Sequence, residues 1–298
     1  MGGSALQDAA RPIGGEPRRR LEIRAQANTA LTLEHTWFRW KCDESEKLTD
    51  YGAVLPRGMR LASYRLLRPL RDCQTGSAFV ALRRGVEGFE KQVVLYCSKR
   101  ERLDEMAREA SRAARLSHAG IAHVLDLGVQ GDIAFVATEH VPGNTLRASV
   151  LRHGRLPWRD VARAVAEAAL ALAYAHGRRG DDGRLLGIMH GRLSPGRVTI
   201  DPAGCARITG LGVSWAWPDH LGFGAPEEMR GEPVDGRADV FALGTILGRC
   251  TDERALPDPV ANLVARATQA LPEHRSTAAE LHDTLSVALR DAEPAAAE

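Results

Sequence analysis

The residues whose types and spacing could best do chemistry stand in the segment 187–201, Gly-Ile-Met-His-Gly-Arg-Leu-Ser-Pro-Gly-Arg-Val-Thr-Ile-Asp. An apolar pair, Ile188 and Met189, runs into His190, then a Gly-Arg-Leu-Ser-Pro turn, then the β-like run Val198-Thr199-Ile200. A strand–turn–strand with a histidine at its mouth is a natural place for proton transfer, because imidazole titrates near neutral pH. No carboxylate lies between His190 and Asp201; the charged positions hold Arg192 and Arg197. A guanidinium stays protonated near neutrality, so it cannot act as a base, although it suits the binding of anions.

The elements that must position this loop belong to an ordinary globular chain. It has 298 residues, 44% hydrophobic and 26% charged, with 40 Lys+Arg against 38 Asp+Glu. That is enough for one large domain or two lobes. The even charge balance makes no case for a nucleic-acid or membrane partner. Cys42, Cys73, Cys97, Cys205 and Cys250 are scattered without a CxxC pair or a histidine at metal-ligand spacing, as expected of reduced thiols in a cytosolic protein. The N-terminus lacks the apolar core of a secretion signal, and position 6 is Leu where a myristoylation signal has Ser or Thr. No run approaches the ~18 apolar residues of a membrane span. These observations predict a cytoplasmic protein.

Residues 1–61 read as an N-terminal extension. Its first thirty residues are rich in Gly, Ala, Pro and Arg and suggest a disordered tail; Trp37, Phe38 and Trp40 form a candidate docking segment. From residue 62 the runs YRLLRPL, SAFVALRR and KQVVLYCS read as strands, broken at Gly76 and around Gly85 and Gly88. LDEMAREASRAARL then places Leu103, Met106, Ala110, Ala113 and Leu116 on one helical stripe. AHVLDLGV and IAFVATEHV read as two more strands, and the Ala-rich WRDVARAVAEAALALAYAH as a buried helix. Strands, one helix, two strands and then mostly helices predict an α+β fold: a small β-rich N-lobe over 62–141, a helical C-lobe over 142–290 and a short tail over 291–298.

The order of these segments resembles the eukaryotic-like protein kinase family, in particular its bacterial serine/threonine members, over roughly residues 62–290. The ordered set carries the resemblance. LRDCQTGSAFVAL stands at the Gly-rich loop, QVVLY at the Val-Ala-Ile-Lys strand and REASRAARLSH at the helix that supplies a glutamate. ATEHVPG stands at the hinge, MHGRLSPGRVTID at the catalytic loop, ITGLGVS at Asp-Phe-Gly and GAPEE at Ala-Pro-Glu. DGRADVFALGTIL stands at the helix that follows, and ALPEHRSTAAEL at the end of the fold.

The resemblance implies a two-lobed kinase fold whose chemistry needs positioned phosphates, metal ions and an oriented hydroxyl. It also makes the departures informative. Arg71 and Cys73 take the first two glycine positions of the phosphate loop, and Gly76 alone is kept. Tyr96 stands for the phosphate-gripping lysine, which leaves its partner Glu109 as an exposed or Arg-paired residue, or as an acceptor for the tyrosine hydroxyl. Arg192 stands for the catalytic base, Ser194 for the loop lysine, Arg197 for the metal-binding asparagine and Gly210 for the metal-binding aspartate; Gly212 keeps the last glycine of that motif. Magnesium requires oxygen ligands, and both protein positions that would supply them are lost. By the same resemblance His190 and Asp239 brace the catalytic loop, and Glu227 and Arg275 form a buried ion pair. The segment from Gly212 to Ala225 is short, with no hydroxyl residue beyond Ser214, and the region after GTILGRC is pared away.

The reading this supports is a pseudokinase: a kinase-fold module in bacterial signalling, with no catalytic residue and no metal, that acts by binding proteins such as an active kinase. Its expected working surfaces are the face of the glutamate-bearing helix, the Trp37-Phe38-Trp40 arm and the pair Trp215 and Trp217, which reads equally as core. Two alternatives stand beside it. One is a diverged serine/threonine kinase that recruits Asp201 or Asp219. The other is a metal-independent sensor of ATP or another anion, for which Arg71, Gly76, Glu139, Arg192 and Arg197 are the nucleotide-binding candidates.

Overall fold

The computed structural model describes residues 55–70, 78–216, 222–252 and 256–292. Within them, alternation of apolar side chains builds a six-stranded sheet: β1 (Arg60–Leu61), β2 (Tyr64–Pro69), β3 (Ala78–Arg84), β4 (Glu90–Lys99), β5 (Val124–Gln130) and β6 (Ile133–Glu139). The strand order is β1-β2-β3-β4-β6-β5, antiparallel throughout. The central strands are buried on both faces. Tyr64, Leu66, Phe79, Ala81, Val93, Leu95 and Phe135 form one core. Ala78, Val94, Tyr96 and Val136 face the other way, onto Met106 and Ala110 of helix α1 (Leu103–Ala113). Met106, Ala110 and Ala113 recur at the spacing of one helical face, which explains why α1 lies across the sheet.

The sheet curls until its two edge strands meet. Gln130 on β5 accepts a hydrogen bond from the Ala62 N–H at 2.5 Å and donates to the Arg60 carbonyl at 3.4 Å. The Tyr64 hydroxyl donates to Asp126 on β5 at 2.9 Å. Burial, reinforced by that bond to Asp126, pushes the Tyr64 phenol up to about 12.

The C-lobe opens with β7 (Asn144–Thr145), α2 (Leu146–His153) and the nineteen-residue α3 (Trp158–His176). Alanines along α3 bury almost a full face and let α7 (Ala278–Asp291) pack closely against it. A second sheet, β7 with β8 (Val198–Ile200) and β9 (Ala206–Ile208), frames the loop read above as the catalytic one. Helices α4 (Pro226–Arg230), α5 (Arg237–Cys250) and α6 (Asp258–Ala267) complete the lobe. Helix α7 starts on a capping box, in which the Thr277 side chain accepts the Glu280 N–H and the Glu280 carboxylate accepts the Thr277 N–H.

The sheet begins before the expected boundary at 62: β1 starts at Arg60, and Leu55 is already in the core at 8% exposure. The run Leu-Pro-Arg-Gly-Met-Arg-Leu is too short, and too interrupted by Pro56 and Gly58, to show a period. The expected tail, the Trp37-Phe38-Trp40 arm, Arg71, Cys73, Gly76, Trp217 and Asp219 lie outside the described residues. No helix among the described residues is long and apolar enough to cross a membrane.

Candidate functional site

Asp239, in the first turn of α5 and 1% exposed, organises the loop that carries His190. Its Oδ2 accepts the His190 N–H at 2.8 Å and lies 2.9 Å from His176 Nε2; its Oδ1 accepts the Gly191 N–H at 2.9 Å. Burial alone would raise the Asp239 carboxyl, but the bond with His176 and the charges and N–H groups facing it hold it low. The brace therefore differs from the expected one. Asp239 holds the backbone of His190, while the imidazole turns elsewhere: Nε2 is 3.1 Å from the Thr209 carbonyl, and Nδ1 accepts the Arg192 N–H at 3.2 Å. One nitrogen faces an acceptor and the other a donor, so the ring is fixed as the neutral Nε2–H tautomer. Burial, the largest influence, lowers its pKa and keeps it so. A histidine tied at both nitrogens is a structural strut.

Arg192 and Arg197, which the resemblance sets at the base and metal-ligand positions, are built into this frame. Arg197 is 2% exposed, and its carbonyl accepts the Thr209 N–H at 2.9 Å, which couples the loop to the end of β9. The Arg192 guanidinium donates to the Gly191 carbonyl at 3.0 Å and sits 3.9 Å from Glu228. Asp201 accepts the N–H groups of Ala203 and Cys205, both at 2.9 Å, and so closes its own turn. Gly210 and Gly212 adopt left-handed φ of 89° and 86°. At Gly212 a Cβ would come within 2.4 Å of the Ala113 side chain, so the turn presses directly onto α1.

Glu109 is engaged by a residue the sequence reading did not foresee. Its carboxylate accepts the Ser214 N–H at 2.9 Å and the Ser214 hydroxyl at 2.8 and 2.9 Å. Tyr96 is 1% exposed, in the cluster beneath the sheet. That cluster also contains Trp215, at 7% exposure, which decides between the interface and core readings open to it in sequence: the indole folds inward. A cavity of about 160 Å³ lies alongside, lined by Glu109, Arg112, His190, Leu211, Gly212 and Ser214.

At the hinge the Glu139 carboxylate is engaged by Arg207 of β9 at 2.9 and 2.7 Å and by His123 Nδ1 at 3.1 Å. The bond from Arg207 is the main reason its pKa falls to about 2. Glu227 and Arg275 form the expected pair, with two contacts of 2.6 and 2.7 Å and side chains 3% and 0% exposed. Arg275 also donates to the carbonyls of Gln269, Ala270 and Arg237. Among the described residues no group of three or more His, Cys, Asp or Glu side chains is placed to hold a metal ion.

The two-lobed architecture recurs in solved structures. The kinase domain of Mycobacterium tuberculosis PknI superposes with a TM-score of 0.62 at 24% identity, covering 78% of this chain and 99% of that one. No protein-family model matches the chain. In sequence it is 29% identical to the tyrosine-protein kinase MasK of Myxococcus xanthus over 67% of this chain and 34% of that protein. It is 24% identical to the serine/threonine-protein kinase PrkC of Bacillus subtilis over 62% of this chain and 33% of that protein. The homologues are bacterial protein kinases. The kinase-domain fold is thereby shared, and the chain spans about a third of the length of these two relatives.

Three residues that hold this site escaped the sequence reading. Ser214 was visible as the lone hydroxyl of its segment, but its partner is 105 residues away. His176, the last residue of α3, and Arg207, on a three-residue strand, carry no local pattern that marks them.

Proposed function

We propose that this kinase-fold chain is a pseudokinase that works by binding a protein partner in bacterial signalling and transfers no phosphate. One observation carries the reading: the loop at the catalytic position is fully braced, yet its charged side chains before Asp201 are Arg192 and Arg197. Phosphoryl transfer in this fold relies on a carboxylate to orient the hydroxyl and on oxygen ligands for metal. Arginine supplies neither. The frame that survives, Asp239 with the His190–Gly191 backbone and Glu227 with Arg275, keeps the shape of the C-lobe. A stable shape without a reactive centre suits a scaffold or a regulator of an active kinase.

The test is phosphate transfer from radiolabelled ATP by the purified chain, with magnesium and with manganese, toward itself and a general protein substrate. The expected result is no transfer above background. Transfer that disappears in Asp201→Asn or Asp219→Asn would overturn the reading and identify a rearranged active site. The positions of Arg192 beside Glu228 and of Arg197 in the core argue against these two as open anion receptors.

A further inference from the structure

We infer that the turn Ser214–Ala216 is a built-in plug that closes the phosphate end of the cleft between the lobes, latched to α1 by Glu109. The proposal goes beyond the pseudokinase reading and holds whether or not phosphate can be transferred. The end of the cleft in question is marked by Tyr96, which stands where the resemblance puts the phosphate-gripping lysine. Trp215 is buried in one cluster with Tyr96, with Ala78 and Val94 of the same sheet face, and with Met106 of α1. The turn packs against β4 itself. Indole and phenol rings thus fill a space that a lysine and a phosphate chain would need to share.

Two features latch the plug. Glu109 accepts from Ser214 twice over, from the backbone N–H and from the hydroxyl, whose single proton lies between the two carboxylate oxygens. The Arg102 guanidinium, at the start of α1, lies 5.8 Å from the Trp215 ring centroid. Glu109 lies in α1 and Arg102 immediately precedes it, so α1 and the turn move as one body. Gly212 adds close contact, since its backbone meets Ala113 with no room for a methyl group.

The plug is also poised to leave. Trp215 Nε1 is buried with no hydrogen-bond partner. An orphan donor is penalised inside and satisfied by water outside, so the seated state depends on its apolar contacts and on the latch. Weakening the latch therefore releases the tryptophan.

Hydrogen exchange by mass spectrometry on the full chain, read at 103–113 and 213–216, tests this together with binding of the fluorescent probe mant-ATP. In the wild type the expected result is protection of both segments and no saturable binding up to millimolar probe. Ser214→Ala, with a cooperative melt retained, is expected to speed exchange in both segments about tenfold or more, as for a local opening. Should Ser214→Ala fail to fold, Glu109→Ala, which removes both acceptor oxygens, provides the same reading. Unchanged exchange in the latch variant overturns the proposal. So does saturable binding of mant-ATP by the wild type while 213–216 stays protected, because nucleotide would then sit beside a seated Trp215. Phosphate transfer, by contrast, bears only on the pseudokinase reading.

Discussion

A buried charge survives in a fold only when every donor and acceptor around it is answered, and Arg275 meets that condition with Glu227 and three carbonyls. Its guanidinium also lies 5.0 Å from the Phe241 ring centroid. Removing one side strands the other. Arg275→Ala is expected to cost about 3–5 kcal/mol, read as a fall in the urea midpoint, whereas joint replacement of both residues by apolar side chains of similar volume costs less. Glu139 gives a pH signature. Its folded pKa, about 2, lies below the ordinary 4.5 because of Arg207, so its stabilising contribution is complete above about pH 4.5. It is lost as pH falls through about 2. Glu139→Gln should therefore flatten that part of the stability–pH curve, measured by denaturation in steps from pH 5 to 2, roughly the window over which such a carboxylate protonates. At this scale the sequence was a partial guide. The pairing of Glu227 with Arg275 was legible through the resemblance. The turning of His190 away from Asp239 was not, because a ring and a backbone N–H at one residue leave the same trace in sequence.

Between elements, the contact that matters most joins α1 to the turn at Gly212. The φ of 86° and the closeness of Ala113 both demand glycine there. Gly212→Ala should cost more than the ~1–3 kcal/mol of backbone strain alone, since α1 must also retreat. The expected reading is a lower melting temperature together with faster amide exchange in 103–113. Strands such as Ala78–Arg84 and Glu90–Lys99 were legible because apolar runs bounded by turn residues announce themselves. The Ala-rich α3 was legible for its composition and length. The burial of Trp215 was not. A lone tryptophan in a short segment reads equally well as core or as surface, and only the sheet face opposite decides.

At the scale of the whole molecule, two sets of residues share one frame: those that hold the fold and those that stand where the resemblance puts the chemistry. Asp239, Glu227, Arg275 and Arg207 form the first. Tyr96, Arg192, Arg197 and Gly210 form the second, and Arg197 is itself buried in the C-lobe. The N-lobe depends on a frame of its own, the bridge from Gln130 to β1. Gln130→Ala should cost about 1 kcal/mol, the net worth of such hydrogen bonds, and should loosen β1 first, seen as faster exchange at 60–66. The bridge has a colloidal consequence as well. An open edge strand is a template on which a second molecule can add its own strand, and β5, with Leu125 and Val129 partly exposed, would be a sticky one. Gln130, bonded to Ala62 and Arg60, and Asp126, bonded to Tyr64, tie that edge to β1 and β2 of the same molecule, so one amide side chain serves as protection against intermolecular strand pairing.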